Sequence, residues 1–256
     1  MSKYQFIVIS VSEERKRNLE TQFAELGINT PLLFLPTPSL ISNSQSYLPS
    51  HVQDTNKQKI ICCSRDHLRA IALACNDTSP EFSVIFEDDI ALHKTQFIHG
   101  IEEIMANWDT WIAPDKMASV GWIPCNNYAT YIPASSKHTM KCVLGSKILH
   151  DRFAPGTQAY IVRKKDVAPL VPHLIHPTFD EFFSHIHGMN FPDLPKTNGL
   201  IAIDMYINRI LGQAILFPPL VIEQDTPSLI GHTNVTLFWD VFFKDYEAIK
   251  KNYYSF

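Results

Sequence analysis

Apolar and polar positions along the chain alternate between two periods. Phe6-Ile7-Val8-Ile9-Ser10-Val11 is a β-branched apolar run, which predicts a buried first strand. Ser12-Glu13-Glu14 then marks a helix start, with Ser12 as cap and acids in the first turn. Leu19, Phe23 and Leu26 give that helix one apolar face, and Gly27 ends it. A short strand is expected at Leu32–Leu35, inside an otherwise Pro-, Ser- and Asn-rich stretch from Thr30 to Asp54 that reads as a long loop. Ile60 to Ala74 returns to helical spacing, with Ile61, Leu68, Ile71 and Leu73 facing the core and His67 on the same helix.

Phe82-Ser83-Val84-Ile85-Phe86 predicts a second buried strand, closed abruptly by Glu87-Asp88-Asp89. An amphipathic helix is expected over Thr95–Trp108, a strand over Met117–Trp122, and a loop over Pro124–Lys141 with Asn126, Asn127, Tyr128 and Tyr131. Thr157–Val162 reads as a strand, and Lys165–Leu170 as a helix cut short by Pro172. Residues 173–195 are irregular and rich in His, with His185 and His187 too sparse a pair to define a zinc site. Ile201–Asp204 leads into a helix over Met205–Leu211 that Gly212 stops, with Asp204 as its cap. A last strand is expected at Ile215–Val221, and the aromatic tail Leu237–Phe256 is expected to dock as a helix. This alternation of strands and helices predicts an α/β fold with a largely parallel sheet.

Composition narrows the function. At 45% apolar and 19% charged residues the chain is an ordinary globular protein, long enough for a single domain over residues 1–256. A net charge of −4 offers no global field for nucleic acid or an anionic membrane, so phosphate binding must be local. The five cysteines have no C-x-x-C spacing, which speaks against a zinc site and against a disulfide framework and fits a reducing compartment. No apolar stretch approaches the roughly 18–20 residues of a spanning helix, and the N-terminus has no apolar leader core. A cytoplasmic protein, or a domain of a longer targeted chain, is expected.

The three consecutive acids carry the chemistry. Ligand sites in open α/β sheets lie beyond the carboxyl ends of the strands. Adjacent carboxylates repel, and Mn²⁺ or Mg²⁺ relieves that repulsion while leaving positions for a diphosphate. A solvated acidic turn is the plain alternative. Arg15, Lys16 and Arg17 oppose the dipole of the first helix, which a phosphate partner would explain, as would a solvated basic face.

Taken together, these pieces and their order resemble the family 25 glycosyltransferases. The resemblance rests on Val8-Ile9-Ser10-Val11 with Arg15 and Arg17, on Cys62-Cys63-Ser64-Arg65-Asp66-His67, and on Val84-Ile85-Phe86-Glu87-Asp88-Asp89. It extends to Gly156-Thr157-Gln158-Ala159-Tyr160-Ile161-Val162, to Asp204, and to Pro218-Pro219-Leu220-Val221-Ile222-Glu223-Gln224, spanning most of residues 4–235. In the second of these stretches the family's Gly and Ser stand as Cys62 and Asp66, while the His is kept as His67.

The resemblance implies a GT-A type fold and a metal-dependent transfer of a hexose, galactose or glucose, from a UDP-sugar to a glycan or glycoprotein hydroxyl, with inversion. It implies Glu87 and Asp89 as a DxD-like metal pair completed by His232. Asp88 would point the other way if the segment stayed extended, which a strand end need not do, so all three acids are kept as candidates. Ser10, Val11, Arg15, Arg17, Glu87 and Asp88 are expected around the nucleotide sugar, and Asp204, then His67, as the base. Two other classes remain open at this stage. One is a Mg²⁺-dependent nucleotidyltransferase or phosphohydrolase, although Asp89-Ile90-Ala91-Leu92 lacks the Thr of a D-x-D-x-T strand end and there is no P-loop. The other is a transferase-like fold that only binds a glycan or a protein.

Overall fold

The computed structural model describes residues 3–10, 12–36, 55–122, 140–141, 147–149, 156–174, 196–197, 200–201, 203–224 and 250–254. In chain order the first elements are β1 (Tyr4–Ser10), α1 (Glu13–Glu25), β2 (Leu32–Pro36), α2 (Thr55–Ala74), β3 (Phe82–Glu87) and β4 (Ile90–Leu92). They are followed by α3 (Phe97–Ala106), α4 (Trp108–Trp111), β5 (Met117–Gly121), β6 (Met140–Lys141), β7 (Lys147–Leu149) and β8 (Ala159–Arg163). The last are α5 (Lys164–Val167), a 3₁₀ turn, α6 (Val171–Leu174), β9 (Lys196–Thr197), β10 (Leu200–Ile201), α7 (Ile203–Leu211), β11 (Ala214–Phe217) and β12 (Val221–Glu223).

The main sheet runs β2-β1-β3-β8-β5-β11-β7-β6, with β12 beside β5 and β4 beside β12. β1 pairs parallel with β2 and β3, and β5 pairs parallel with β11 and β12. β8 runs against both of its neighbours, β3 and β5. The fold is therefore α/β with mostly parallel strands in its central sheet; β8 joins the parallel group around β1 to a mixed half around β5, in which β7 runs against β11 and β6, and β4 against β12.

Both faces of the sheet are covered, which is why its strands read as unbroken apolar runs. Phe6, Val8, Val84 and Phe86 face a core that contains Leu19 and Phe23 of α1 and Phe97, Ile101 and Ile104 of α3. Ile7, Ile9, Ile85 and Tyr160 face the other core, with Leu68 and Ile71 of α2 and Tyr206 and Ile207 of α7. Phe6 and Phe23 meet edge to face at 4.8 Å between ring centres, an aromatic geometry that adds to area burial.

α1 follows its sequence signals. The Ser12 hydroxyl accepts from the Arg15 backbone N–H, and Gly27 closes the helix at φ 67°. No atom lies within 4 Å of where a Gly27 Cβ would sit, so only backbone strain opposes a side chain there. Gly27→Ala is expected to lower stability by about 1 kcal/mol in a denaturant titration. An unchanged midpoint would show that the turn relaxes.

Four elements depart from the sequence reading. The helix expected over Thr95–Trp108 breaks at Asn107, whose side-chain amide donates to the Glu103 carbonyl and competes with the helix ladder. Pro172 does not end its helical segment; it lies in the first turn of α6, where a missing N–H costs little. Pro218 and Pro219 split the expected last strand into β11 and β12, because neither offers an N–H to a ladder. α7 starts at Ile203, so Asp204 lies inside its first turn rather than capping it.

Most of the C-terminal tail lies outside the described residues. At its end Tyr253 forms a bridge with His93, and its hydroxyl donates to the Pro219 carbonyl at 2.6 Å. The helix expected around Trp239, Phe242, Phe243 and Tyr246 lies outside the described residues. Among the described residues no helix is long and apolar enough to cross a membrane.

Candidate active site

The parallel register Ile9↔Glu87 brings the carboxyl ends of β1 and β3 side by side, with α1 leaving from the same edge. Asp88 fills the gap between them. Its Oδ2 accepts from the Ser10 hydroxyl at 2.9 Å and from the Ser12 backbone N–H at 3.2 Å. The Arg15 guanidinium reaches Asp88 Oδ1 at 3.4 Å and Asp89 Oδ2 at 3.1 Å through one nitrogen. A cation at the positive end of a helix is thereby accounted for: Arg15 is held by two acids and not by its helix.

Asp89 is nearly buried, and its Oδ1 meets no hydrogen-bond partner. Burial first, then the charge of Glu87, pushes its carboxyl up to about 7; Asp88 adds to the rise and Arg15 opposes it. A buried oxygen left unpaired beside other carboxylates is what a bound cation would satisfy.

Glu87 turns to the opposite side. Its Oε1 accepts from the Thr157 hydroxyl at 2.7 Å and lies 3.3 Å from His67 Nε2. His67 is fully buried in α2, with Nδ1 3.1 Å from the Tyr160 hydroxyl. Thr157 and Tyr160 reach this place because β8 runs antiparallel to β3, so its beginning meets the end of β3. Asp204 completes the group. Its Oδ2 accepts from the Gly156 N–H at 2.7 Å, and its Oδ1 from the Met205 N–H at 2.8 Å. Burial raises the Asp204 carboxyl above its ordinary range, those two N–H groups pull it back in part, Glu87 raises it further and His67 lowers it.

Cys63, one turn before His67, lies against the same acids. Burial pushes its thiol well up, and the charges of Glu87, Asp66, Asp204 and Asp89 add to that. The Cys63 sulfur, a His67 ring nitrogen and a Glu87 carboxylate oxygen all lie within 4.8 Å of one another.

Seen against the sequence, Arg15, Ser10, Asp88 and Asp89 meet in one cluster, and His67, Glu87 and Asp204 in a second beside it. Of the three acids kept as candidates, Asp88 and Asp89 share Arg15 while Glu87 faces His67. β3 ends at Glu87 and β4 begins only at Ile90, so Asp88 and Asp89 sit in a bend where strand alternation lapses. Arg17 is exposed. Val11 and His232 lie outside the described residues. Sequence reasoning gave no role to Thr157 or Tyr160 by themselves; they stood only within a stretch that carries the resemblance, and the pairing with β3 gives them meaning.

No family model matches the chain, nor does any curated protein. Among solved structures it is similar to the galactosyltransferase LgtC in complex with donor and acceptor sugar analogues, at 9% identity and a TM-score of 0.43, covering 98% of this chain and 97% of that one. It is similar to a glycosyltransferase involved in glycosylation of the major capsid of PBCV-1, at 12% identity and a TM-score of 0.35, covering 88% of this chain and 94% of that one. A third is mouse xyloside xylosyltransferase 1, at 12% identity and a TM-score of 0.34, covering 75% of this chain and 70% of that one. All three are glycosyltransferases.

Proposed function

We propose that the protein is a GT-A type glycosyltransferase that moves a hexose, galactose or glucose, from a UDP-sugar to a hydroxyl of a glycan or glycoprotein, with inversion. The observation behind this reading is the buried, unpartnered Asp89 Oδ1 beside Asp88 at the carboxyl ends of two parallel strands. Asp89 and Asp88, with His232, would hold Mn²⁺ or Mg²⁺; Glu87 is turned toward His67 and is less suited to that role. When bound, such an ion supplies a Lewis acid for the charge that develops on the leaving diphosphate.

The remaining work falls to the chain. Arg15 is the cation nearest the acids and would turn part of its fork to the diphosphate, a geometry suited to phosphate oxygens. Ser10 and the Ser12 N–H keep Asp88 oriented while Arg15 moves. Asp204 takes the proton of the acceptor hydroxyl as its oxygen attacks the anomeric carbon and the bond to the diphosphate oxygen breaks. A carboxyl raised by burial binds that proton better than a solvated one does. His67 has no exposed surface, so it serves as a positioning residue for Glu87 rather than as a base that touches the acceptor.

Calorimetry or thermal shift with UDP, GDP and CMP, each with and without Mn²⁺, tests the donor site. A Mn²⁺-dependent gain of about 2.7 kcal/mol is expected for UDP at a hundredfold excess over its dissociation constant. It should vanish in Asp89→Asn. Folded wild-type protein that answers to no nucleotide would overturn the reading.

A further inference from the structure

We propose that Cys63, His67 and Glu87 form a site for a divalent transition metal of the zinc class, distinct from the oxygen site at Asp88 and Asp89. Cys63 and His67 stand four residues apart on α2, the spacing that puts two side chains on one helix face. Glu87, at the end of β3, closes the third side, and the three donor atoms lie within 4.8 Å of one another. Ligand bonds of roughly 2.0–2.3 Å place donors around zinc about 3.5 Å apart. His67 Nε2 and Glu87 Oε1, at 3.3 Å, already have that spacing.

A second observation points the same way. His67 Nε2 is buried and has no hydrogen-bond partner, although it faces Glu87 Oε1. The two atoms approach to ion-pair distance without hydrogen-bond geometry. An ion between the two would satisfy that nitrogen. The surroundings match those of a metal-bound histidine, whose other ring nitrogen is held by a neighbour. Here Nδ1 lies 3.1 Å from the Tyr160 hydroxyl, and Thr157 holds the Glu87 carboxylate at 2.7 Å.

The donor set decides the class of ion. Thiolate, imidazole and carboxylate together suit Zn²⁺ or Co²⁺, whereas Mn²⁺ and Mg²⁺ favour oxygen. Binding would convert the Cys63 thiol to thiolate and release its proton to solvent. The negative charges of Asp66 and Asp204 also act on Cys63, and nearby carboxylates favour a cation. Three protein donors leave a fourth position for water.

The test uses the full chain, stripped with a chelator and titrated with Co²⁺ and then with Zn²⁺. Stoichiometric Co²⁺ binding with a thiolate-to-cobalt absorption band, displaced by Zn²⁺, is expected. Cys63→Ser should abolish the band. Tyr160→Phe, which keeps all three donors, should weaken Zn²⁺ binding by about 10–100-fold, and it carries the test if Cys63→Ser does not fold. Asp89→Asn should leave both metals bound, so this site stands or falls apart from the glycosyl-transfer reading. Folded wild-type protein that binds no Co²⁺, a complex without the thiolate band, or a band unchanged in folded Cys63→Ser would overturn it.

Discussion

Asp204→Asn is expected to lower turnover by about two to four orders of magnitude while leaving UDP–Mn²⁺ affinity almost unchanged. The substitution keeps the shape of the side chain and removes its capacity to accept a proton. One of the two N–H groups now paired with the carboxylate, from Gly156 or Met205, would face an amide nitrogen instead. That costs about 1–3 kcal/mol of stability, so folding must be measured beside activity. A structural role alone would move stability and spare the pH profile. A base role predicts that the wild-type rate falls as pH drops through the raised Asp204 value, and that this acid limb is missing in the variant. Full activity in folded Asp204→Asn would remove it from the mechanism.

Asp89→Asn should make the metal-free protein more stable at pH 8 than the wild type. In the folded chain the Asp89 carboxyl titrates at about 7, whereas an unfolded Asp titrates at about 3.9. Between those values the folded state keeps a proton that the unfolded state has released. The Asp89 contribution to stability therefore falls as pH rises from about 4 to about 7, by a few kcal/mol, and stays low above that. Asn cannot ionise, so the fall disappears. Asp66 and Asp204 are shifted in the same direction, which makes the difference between wild type and variant the quantity to read. Denaturant midpoints at pH 5 and pH 8, with chelator present, would measure it. A variant no more stable than wild type at pH 8 would show that Arg15 already compensates the charge. The variant that gains stability is the one expected to lose UDP, which is the usual trade at a functional carboxylate.

The sequence made much of the frame legible because local rules suffice for it. Ser12 and Gly27 delimit α1, and the apolar run Phe82–Phe86 identifies β3, from signals a few residues long. The breaks at Asn107 and at Pro218-Pro219, and the place of Pro172, depend on which backbone groups find partners elsewhere, and that is not a local property. The candidate site divides in the same way. Glu87, Asp88, Asp89 and Asp204 stand out as carboxylates at element ends. Their partners do not: Arg15 meets Asp88 across 73 positions and His67 meets Tyr160 across 93. The side each acid takes was hidden as well, because strand alternation gives no guide through the bend at Asp88.

The antiparallel β8 also sets an order on the birth of the molecule. β2, β1 and β3 can assemble once synthesis has passed residue 87, yet β3 has no neighbour on its far side until residues 159–163 emerge. At about 5–20 residues per second, translation leaves that edge open for several seconds. Over that interval the nascent chain displays Phe82–Phe86 with unpaired backbone groups, a template for other strands. β5 cannot cover it, because β5 itself joins the sheet only through β8 and the still later β11 and β12. A ribosome-bound chaperone that shields one strand edge during one stretch of synthesis would meet the chief hazard of making this protein.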